Sequence, residues 1–338
     1  MPDFMMEQTA CPLSASDVRT RDRSGSGALW QRQRERLDYR IGRCSLGTVE
    51  FQSLVLATNP FNLDKAITPP VTDAFQDSCE LVVVPAMTVA HDLPLLRFRD
   101  GAVRYAVRHG DRHVVDLSGS FDDYLNRFSK KSRGNLQRSV RKLSDPQTGI
   151  PDLRVYETVP QIGAFRELAI AISGRSYKQS AGIGFSEAHE FAARLQDDAD
   201  RGALRGYALF YRGRPAAYAL CRIEGDVITY KQIGYDQELA QQSPGTSLLY
   251  LLIKHLFDER RFRLLDFDAL EHYSYKAYFA TRSIRCARVL WFKPTLRNLS
   301  LIALHCITLL IWQGASLALR CLRNCSRAGS QLLMRLRS

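Results

Sequence analysis

The chain has 338 residues, is 45% hydrophobic and 24% charged, and carries a formal net charge of +12. This allows one large or two ordinary domains with packed cores and excludes global disorder. The charge is local: the 67 residues after Glu271 hold 11 Lys and Arg and no Asp or Glu, which leaves about +1 for the rest (12 less 11).

Residues 1–37 are polar, with a Ser24–Gly27 SGSG run, and read as a flexible lead-in containing a helix from Leu29 to Leu37. From Asp38 the signals are short strands at Phe51–Ala57, Leu81–Val84, Leu95–Phe98, Val103–Val107 and Val114–Leu117. Asp100-Gly101 and Gly110-Asp111 read as turns between the last three. Ser118–Leu143 reads as one helix, with Ser120 as N-cap and Asp122 and Asp123 in the first turn. Its second half carries Lys130, Lys131, Arg133, Arg138, Arg141 and Lys142 with no acid between them. That run suits either a solvated face or a basic rim for an anionic ligand. Asp145-Pro146 and Thr148-Gly149 then mark a boundary, so the units are 1–37, 38–147, 148–295 and 296–338.

A strand at Leu153–Glu157 is followed by an amphipathic helix at Pro160–Ser173, a Gly/Ser/Lys loop at Gly174–Phe185 and a helix at Ser186–Arg201. Ala203–Tyr211 and Pro215–Ile223 read as a hairpin about Arg212-Gly213. Val227–Tyr235 is a strand. A polar turn with Ser243-Pro244-Gly245 leads into a helix at Ser247–Glu259. A strand at Arg263–Phe267, a short helix at Tyr273–Ala280 and a strand at Ala287–Phe292 complete the region. A strand that passes through a tight turn into a helix leaves unbonded N–H groups at the helix start, which is an anion site. Here the N–H groups of Gly245, Thr246 and Ser247 and the hydroxyls of Ser243, Thr246 and Ser247 are placed to hold a phosphate-bearing donor. A plain helix cap accounts for the same residues.

Asp266 and Asp268 end a buried strand, where a desolvated carboxylate has its pKa raised toward neutrality and suits a general base; a helix N-cap is the rival reading. Glu271 and His272 follow as further candidates. Tyr235 and Tyr275 are candidate donors to a reacting carbonyl or leaving group, or packing aromatics. Arg175, Tyr177 and Lys178 of the Gly-rich loop, with Arg133 and Arg138, are placed on the acceptor side.

The order of elements resembles the GNAT acyltransferase fold, an α/β (α+β) architecture. Residues from about Val114 to Pro294 resemble more closely the bacterial GNAT proteins named for a cellulose-biosynthesis protein (CelD-like acetyltransferases). These are related to the FemABX peptidyltransferases, which carry two GNAT-like halves in tandem. The marks are Tyr124-Leu125, Ser132-Arg133, Asn135-Leu136-Gln137-Arg138, Ala216–Leu220, Gly234-Tyr235-Asp236, Ser243-Pro244-Gly245 with Leu248, Asp266-Phe267, and Tyr275-Lys276 with Phe279. The resemblance implies a degenerate N-terminal half and a C-terminal domain that uses acetyl-CoA or another acyl-CoA. It implies that the strand at Gln232, Ile233 and Gly234 pairs with the pantetheine arm and that Lys276 lies near the reacting group. Pro244 departs from the usual turn and gives up a backbone N–H.

Eight cysteines (Cys11, Cys44, Cys79, Cys221, Cys286, Cys306, Cys321 and Cys325) form no CxxC pair and read as reduced thiols of a cytoplasmic protein; no metal is expected. Asn298–Leu319 has no formally charged side chain and is long enough to span a bilayer. Its polar residues and the Arg-rich sequence after it also suit an interfacial helix on an anionic membrane, or a helix docked on the domain. The expectation is an acyl-CoA-dependent transferase acting on an amine or hydroxyl of a sugar, polysaccharide precursor or lipid headgroup near the inner membrane. The alternatives are a FemABX-like aminoacyl transferase and an inactive component of a polysaccharide-synthesis complex. No DNA partner is expected, because aromatics are not interleaved with the basic tail.

Overall fold

The computed structural model describes residues 30–42, 44–63, 68–175, 184–271 and 275–335, with side chains up to residue 315 except those of 269 and 271. Among these residues the strands form one eleven-stranded sheet in the order β1-β2-β3-β11-β5-β10-β9-β8-β7-β6, with β4 alongside β5. The strands are β1 Trp30–Ile41, β2 Cys44–Leu56, β3 Leu81–Thr88, β4 Leu96–Arg99, β5 Ala102–Asp116, β6 Asp152–Tyr156, β7 Leu204–Tyr211, β8 Arg214–Glu224, β9 Val227–Tyr235, β10 Leu264–Glu271 and β11 Arg282–Phe292. The helices are α1 Val71–Gln76, α2 Phe121–Asn126, α3 Lys130–Leu143, α4 Val159–Gly174, α5 His189–Asp200, α6 Pro244–Glu259, α7 Tyr275–Phe279 and α8 Leu296–Arg335.

The helix expected at Leu29–Leu37 is strand β1. Glu35, Leu37 and Tyr39 are buried and alternate with exposed Arg34, Arg36, Asp38 and Arg40, the period-two pattern of a strand. The turn expected at Gly110-Asp111 is also absent. Gly110 pairs with Cys286 and Asp111 with Arg285 inside the continuous strand β5, so ladder bonds outweigh the local turn signal. The single helix expected at Ser118–Leu143 is two. Ser120 caps α2 with Asp123 in a reciprocal capping box, and Ser129 caps α3 by accepting from the Ser132 N–H.

Each face of the sheet is covered. On the C-terminal half, α2, α3 and α6 pack on one face around Leu136, Val140, Leu252, Leu256 and Phe267. Leu248, Leu249, Leu252, Ile253 and Leu256 of α6 are almost fully buried, each contributing about 1.5–3 kcal/mol of apolar burial. The other face is covered by α4 and α5 through Ile162, Phe165, Ile172 and Phe191. On the N-terminal half, α8 packs through Ile302 on Leu37, Phe51, Tyr105 and Phe292. Tyr39 donates to the Leu301 carbonyl at 3.1 Å, and the Tyr105 hydroxyl meets His305 Nδ1 at 2.6 Å.

The two halves share strands. β11, expected to belong to the unit 148–295, lies between β3 and β5 of the N-terminal half and pairs antiparallel with both. β10 joins the halves by pairing antiparallel with β5 and parallel with β9.

Candidate functional site

β9 and β10 pair over only three positions, ending at Asp266 opposite Thr229. β9 then continues to Tyr235 paired with β8, while β10 stays with β5. The parting is built into both chains. β9 has an extra residue, Lys231, between Tyr230 (opposite Cys221) and Gln232 (opposite Leu220). β10 loses register with β5 between Asp266 and Leu270, where Asp268 adopts a left-handed conformation (φ 65°). Bulges of this kind end pairing and re-aim side chains. Beyond Thr229 no described strand pairs with the outer edge of β9, so Lys231–Tyr235 presents main chain to a ligand able to pair as a strand does.

The two bulges aim at each other. Lys231 Nζ donates to Asp268 Oδ2 at 2.8 Å, and Arg112 Nη2 donates to Asp268 Oδ1 at 3.1 Å. Burial would raise the Asp268 carboxyl, but Lys231 and Arg112 outweigh it and bring it down to about 2. This corrects the expectation of a base poised near neutrality. Asp268 is an anion at every physiological pH and a weak proton acceptor. Asp266 is fully buried and saturated. Arg112 Nε and Nη2 reach its two oxygens at 2.5–3.0 Å, Asn59 Nδ2 donates to it at 2.7 Å, and the Asp268 N–H donates at 3.0 Å. An acid so fully occupied holds structure together and has no lone pair left for a substrate.

Asn59 also donates to Thr229 Oγ1, and its own N–H to Glu224, both across the seam between the halves. The seam encloses a cavity of about 90 Å³ lined by Asn59, Arg112, Arg222, Glu224, Lys231 and Asp268, among others. The Nε of Arg222 is buried there without a hydrogen-bond partner. Asn59, Arg112, Lys231 and Arg222 were not singled out from sequence. The available signal was charge inside strands, at Arg112 between apolar runs and at Lys231 between Tyr230 and Ile233.

Lys276, in α7, is buried and donates to the Phe267 carbonyl at 3.2 Å; its charge is felt at Asp268. Tyr275 is exposed, and its phenol acts on that of Tyr230 in β9. α7 therefore lies over the point where β9 and β10 part. The side chain of Glu271, and His272, lie outside the described residues.

At the expected anion turn, residues Gln237–Gln242 form a 3₁₀ turn and Ser243 is left-handed (φ 57°, ψ 51°) before Pro244 opens α6. Among the described residues no side chain caps this helix start. The Gly245 and Thr246 N–H groups therefore point out of the first turn, while Pro244 has none to offer. Ser247 departs from its expected role. It is fully buried, its N–H bonds the Ser243 carbonyl, and its hydroxyl donates to the same oxygen at 3.2 Å. Tyr235 lies against Gly245, its ring 3.5 Å from where a Cβ would stand. Gln232 has a buried amide oxygen with no partner.

Arg175 does not stand open to an acceptor. It pairs with the fully buried Asp236 at 3.0 Å, as Arg214 does at 2.6 Å, and Asp236 caps the 3₁₀ turn at the Glu238 N–H. It therefore braces the turn that precedes α6. Tyr177 and Lys178 lie outside the described residues. Arg133 bonds Asn126 and Arg138 bonds Asn135 on the outer side of α3. Among the described residues none of the six cations of α3 pairs with a carboxylate. The helix packs along α6 and touches the 3₁₀ turn that precedes it.

Gly234 faces Tyr218, where a Cβ would stand 2.4 Å from the ring. The Tyr218 ring is wedged against Phe165 and Phe185. Gly234→Ala is expected to cost about 1–3 kcal/mol by overpacking and to weaken donor binding by displacing β9. A thermal melt beside a binding titration checks both, and an unchanged pair of values contradicts the expectation.

Residues 130–277 match the family model described as the acetyltransferase (GNAT) domain. A search of curated proteins finds no match. Among solved structures, the chain is similar to the C-terminal domain (DUF2156) of a putative lysylphosphatidylglycerol synthetase from Agrobacterium fabrum, at 12% identity and TM-score 0.47, covering 78% of this chain and 85% of that one. It is similar to L-PGS from Bacillus licheniformis at 14% identity and TM-score 0.46, with the same coverage of 78% and 85%. It is also similar to FemX at 10% identity and TM-score 0.44, covering 81% of this chain and 90% of that one.

Proposed function

We propose that this chain, whose residues 130–277 match the family model of the GNAT acetyltransferase domain, moves an acyl group from a CoA thioester to an amine or hydroxyl of a polar acceptor. The observation that carries this reading is the parting of β9 and β10 after Thr229 and Asp266. It leaves the main chain of Lys231–Tyr235 able to pair with an amide-bearing arm, and the unpartnered Gln232 oxygen suits an N–H donor. The Gly245 and Thr246 N–H groups, at a helix start that the cation-rich α3 packs near, suit the anionic end of the same donor.

A thioester supplies an activated carbonyl and a thiolate leaving group. The acceptor nitrogen or oxygen bonds to the carbonyl carbon, the C–S bond breaks, and the proton lost by the nucleophile ends on the departing sulfur. The Lys276 ammonium is the cation that favours negative charge developing at the parted strands. Asp268 acts as a fixed anion that orients Lys231 and Arg112 toward the seam cavity, where guanidinium, ammonium and carboxylate groups suit a polar, charge-bearing acceptor. A sugar, polysaccharide precursor or lipid headgroup meets that description.

Calorimetry with acetyl-CoA and longer acyl-CoAs tests the donor. Saturable binding of at least one is expected, and absence of binding to all of them removes the reading. A second reading rests on α3, whose unpaired cations extend over more surface than a pyrophosphate needs. They suit a charged tRNA as donor, as in an aminoacyl transferase. Binding of aminoacyl-tRNA where acyl-CoA fails would select it.

A further inference from the structure

The first turns of α8 bury polar residues beside apolar Ile302 on the side that meets the sheet. A surface helix normally turns its apolar stripe to the core and its polar residues to water. Here Asn298 and Thr308 are buried, and His305 points at Tyr105. Asn298 Nδ2 donates to the Lys293 carbonyl at 3.0 Å, and Thr308 Oγ1 to the His305 carbonyl at 2.7 Å. Leu299, Leu304, Ile307, Leu310 and Ile311 face outward, with Ile307 51% and Leu310 66% exposed. The segment Leu296–Ala315 is long and apolar enough to cross a membrane by length and composition, yet one side of it is bound to the sheet.

The apolar surface continues onto the neighbouring hairpin. Leu96 pairs with Tyr105 and Phe98 with Val103, and cross-strand partners share a face. Tyr105 and Val103 belong to the core that α8 covers, so Leu96 and Phe98 stand on the α8 side of the sheet. Phe98 is 69% exposed there.

We infer that this surface, the outer stripe of α8 with Leu96 and Phe98, seats the protein on an anionic lipid bilayer. Charge selects this occupant. The chain after Glu271 is free of acids, and α8 runs on through Arg320, Arg323 and Arg327 to Arg335. At about 1.5 Å per residue its 40 residues reach about 60 Å, well past the sheet it docks on. An apolar stripe with an Arg-rich continuation is the pattern of a helix lying in the headgroup region. Each basic residue adds about 1 kcal/mol of attraction to an anionic surface. A second copy is a poorer fit, because a two-fold pairing of the stripe brings two acid-free cationic segments together. The seat is independent of the donor chemistry proposed above.

The test is co-sedimentation of the full chain with vesicles of phosphatidylcholine alone and of phosphatidylcholine with phosphatidylserine. Binding is expected to be at least about tenfold tighter to the mixed vesicles and to be released by high salt. Ile307→Glu with Leu310→Glu is expected to weaken it by at least about tenfold. Both side chains project outward, so the circular dichroism melt should not change. Equal, negligible sedimentation with both vesicles overturns the inference. So does a dimer in ultracentrifugation that the double variant splits without any vesicle binding, which assigns the stripe to a second copy. Retention on vesicles through high salt and alkaline carbonate indicates a spanning helix and also overturns it. Vesicle binding that appears only after residues 1–29 are removed assigns the stripe to that segment instead.

Discussion

Replacing Arg112 by methionine is expected to lower the unfolding free energy by about 3–5 kcal/mol, because it strands a buried anion. The Arg112 guanidinium is nearly inaccessible, holds both Asp266 oxygens, reaches Asp268 and lies over the Phe61 ring. Without it Asp266 keeps Asn59 and one N–H, too little for a carboxylate at the centre of the sheet. Urea denaturation reads the loss. Asp266→Leu added to Arg112→Met should recover much of it, since removing both charges costs less than removing one. The cluster also has an acid signature. The Asp268 carboxyl is held near 2, below its ordinary 3.8, so the stability it contributes is present above about pH 4 and is lost as pH falls toward 2. In Arg112→Met only Lys231 and Lys276 remain to lower it, and the acid-dependent part should shrink. A variant as stable as the parent shows that the cluster does not join the halves.

The second large effect is on turnover. Lys276→Ala is expected to reduce kcat/KM by about 10²–10³-fold, the loss typical of removing one group that faces developing charge. The fold should survive, because α7 is a short helix at the edge of the parted strands and the bond Lys276 gives there is to the Phe267 main chain. The loss should fall on kcat with the KM for the acyl-CoA little changed, since neither the outer edge of β9 nor the start of α6 involves this side chain. Parent-level activity in the variant removes Lys276 from the site.

The fold class was legible because its signals are local and strong. The Arg212-Gly213 hairpin, the Ser120 N-cap and the apolar spacing of α6 each depend on a few adjacent residues. The errors lie where distant residues decide. Trp30–Ile41 is rich in good helix formers, and only its antiparallel partner β2 makes it a strand. Gly110-Asp111 is a turn in isolation and a paired segment once β11 lies beside it. The site shows the same division. The strand–turn–helix about Ser243-Pro244-Gly245 and the Asp266–Lys276 segment stood out in sequence. The inward rotation of Ser247 and the saturation of Asp266 did not, because their causes are a helix register and the remote residues Asn59 and Arg112. Asp268 was read with the wrong sign because its two cations come from β5 and β9, 156 and 37 positions away in the chain.

The placement of β11 bears on how the chain acquires its shape. Strands β3 and β5 are consecutive in the N-terminal half apart from the small β4, yet they reach each other only through a strand made some 170 positions after β5. Until Phe292 has left the ribosome, each keeps an edge without its final partner, a template for mispairing. Contacts so distant in sequence also slow folding. The sheet of the N-terminal half therefore cannot be completed until β11 is made, although that half is synthesised first. A fragment ending at residue 277, where the family match ends, lacks the strand that joins β3 to β5, so it is expected to leave the sheet of the N-terminal half open.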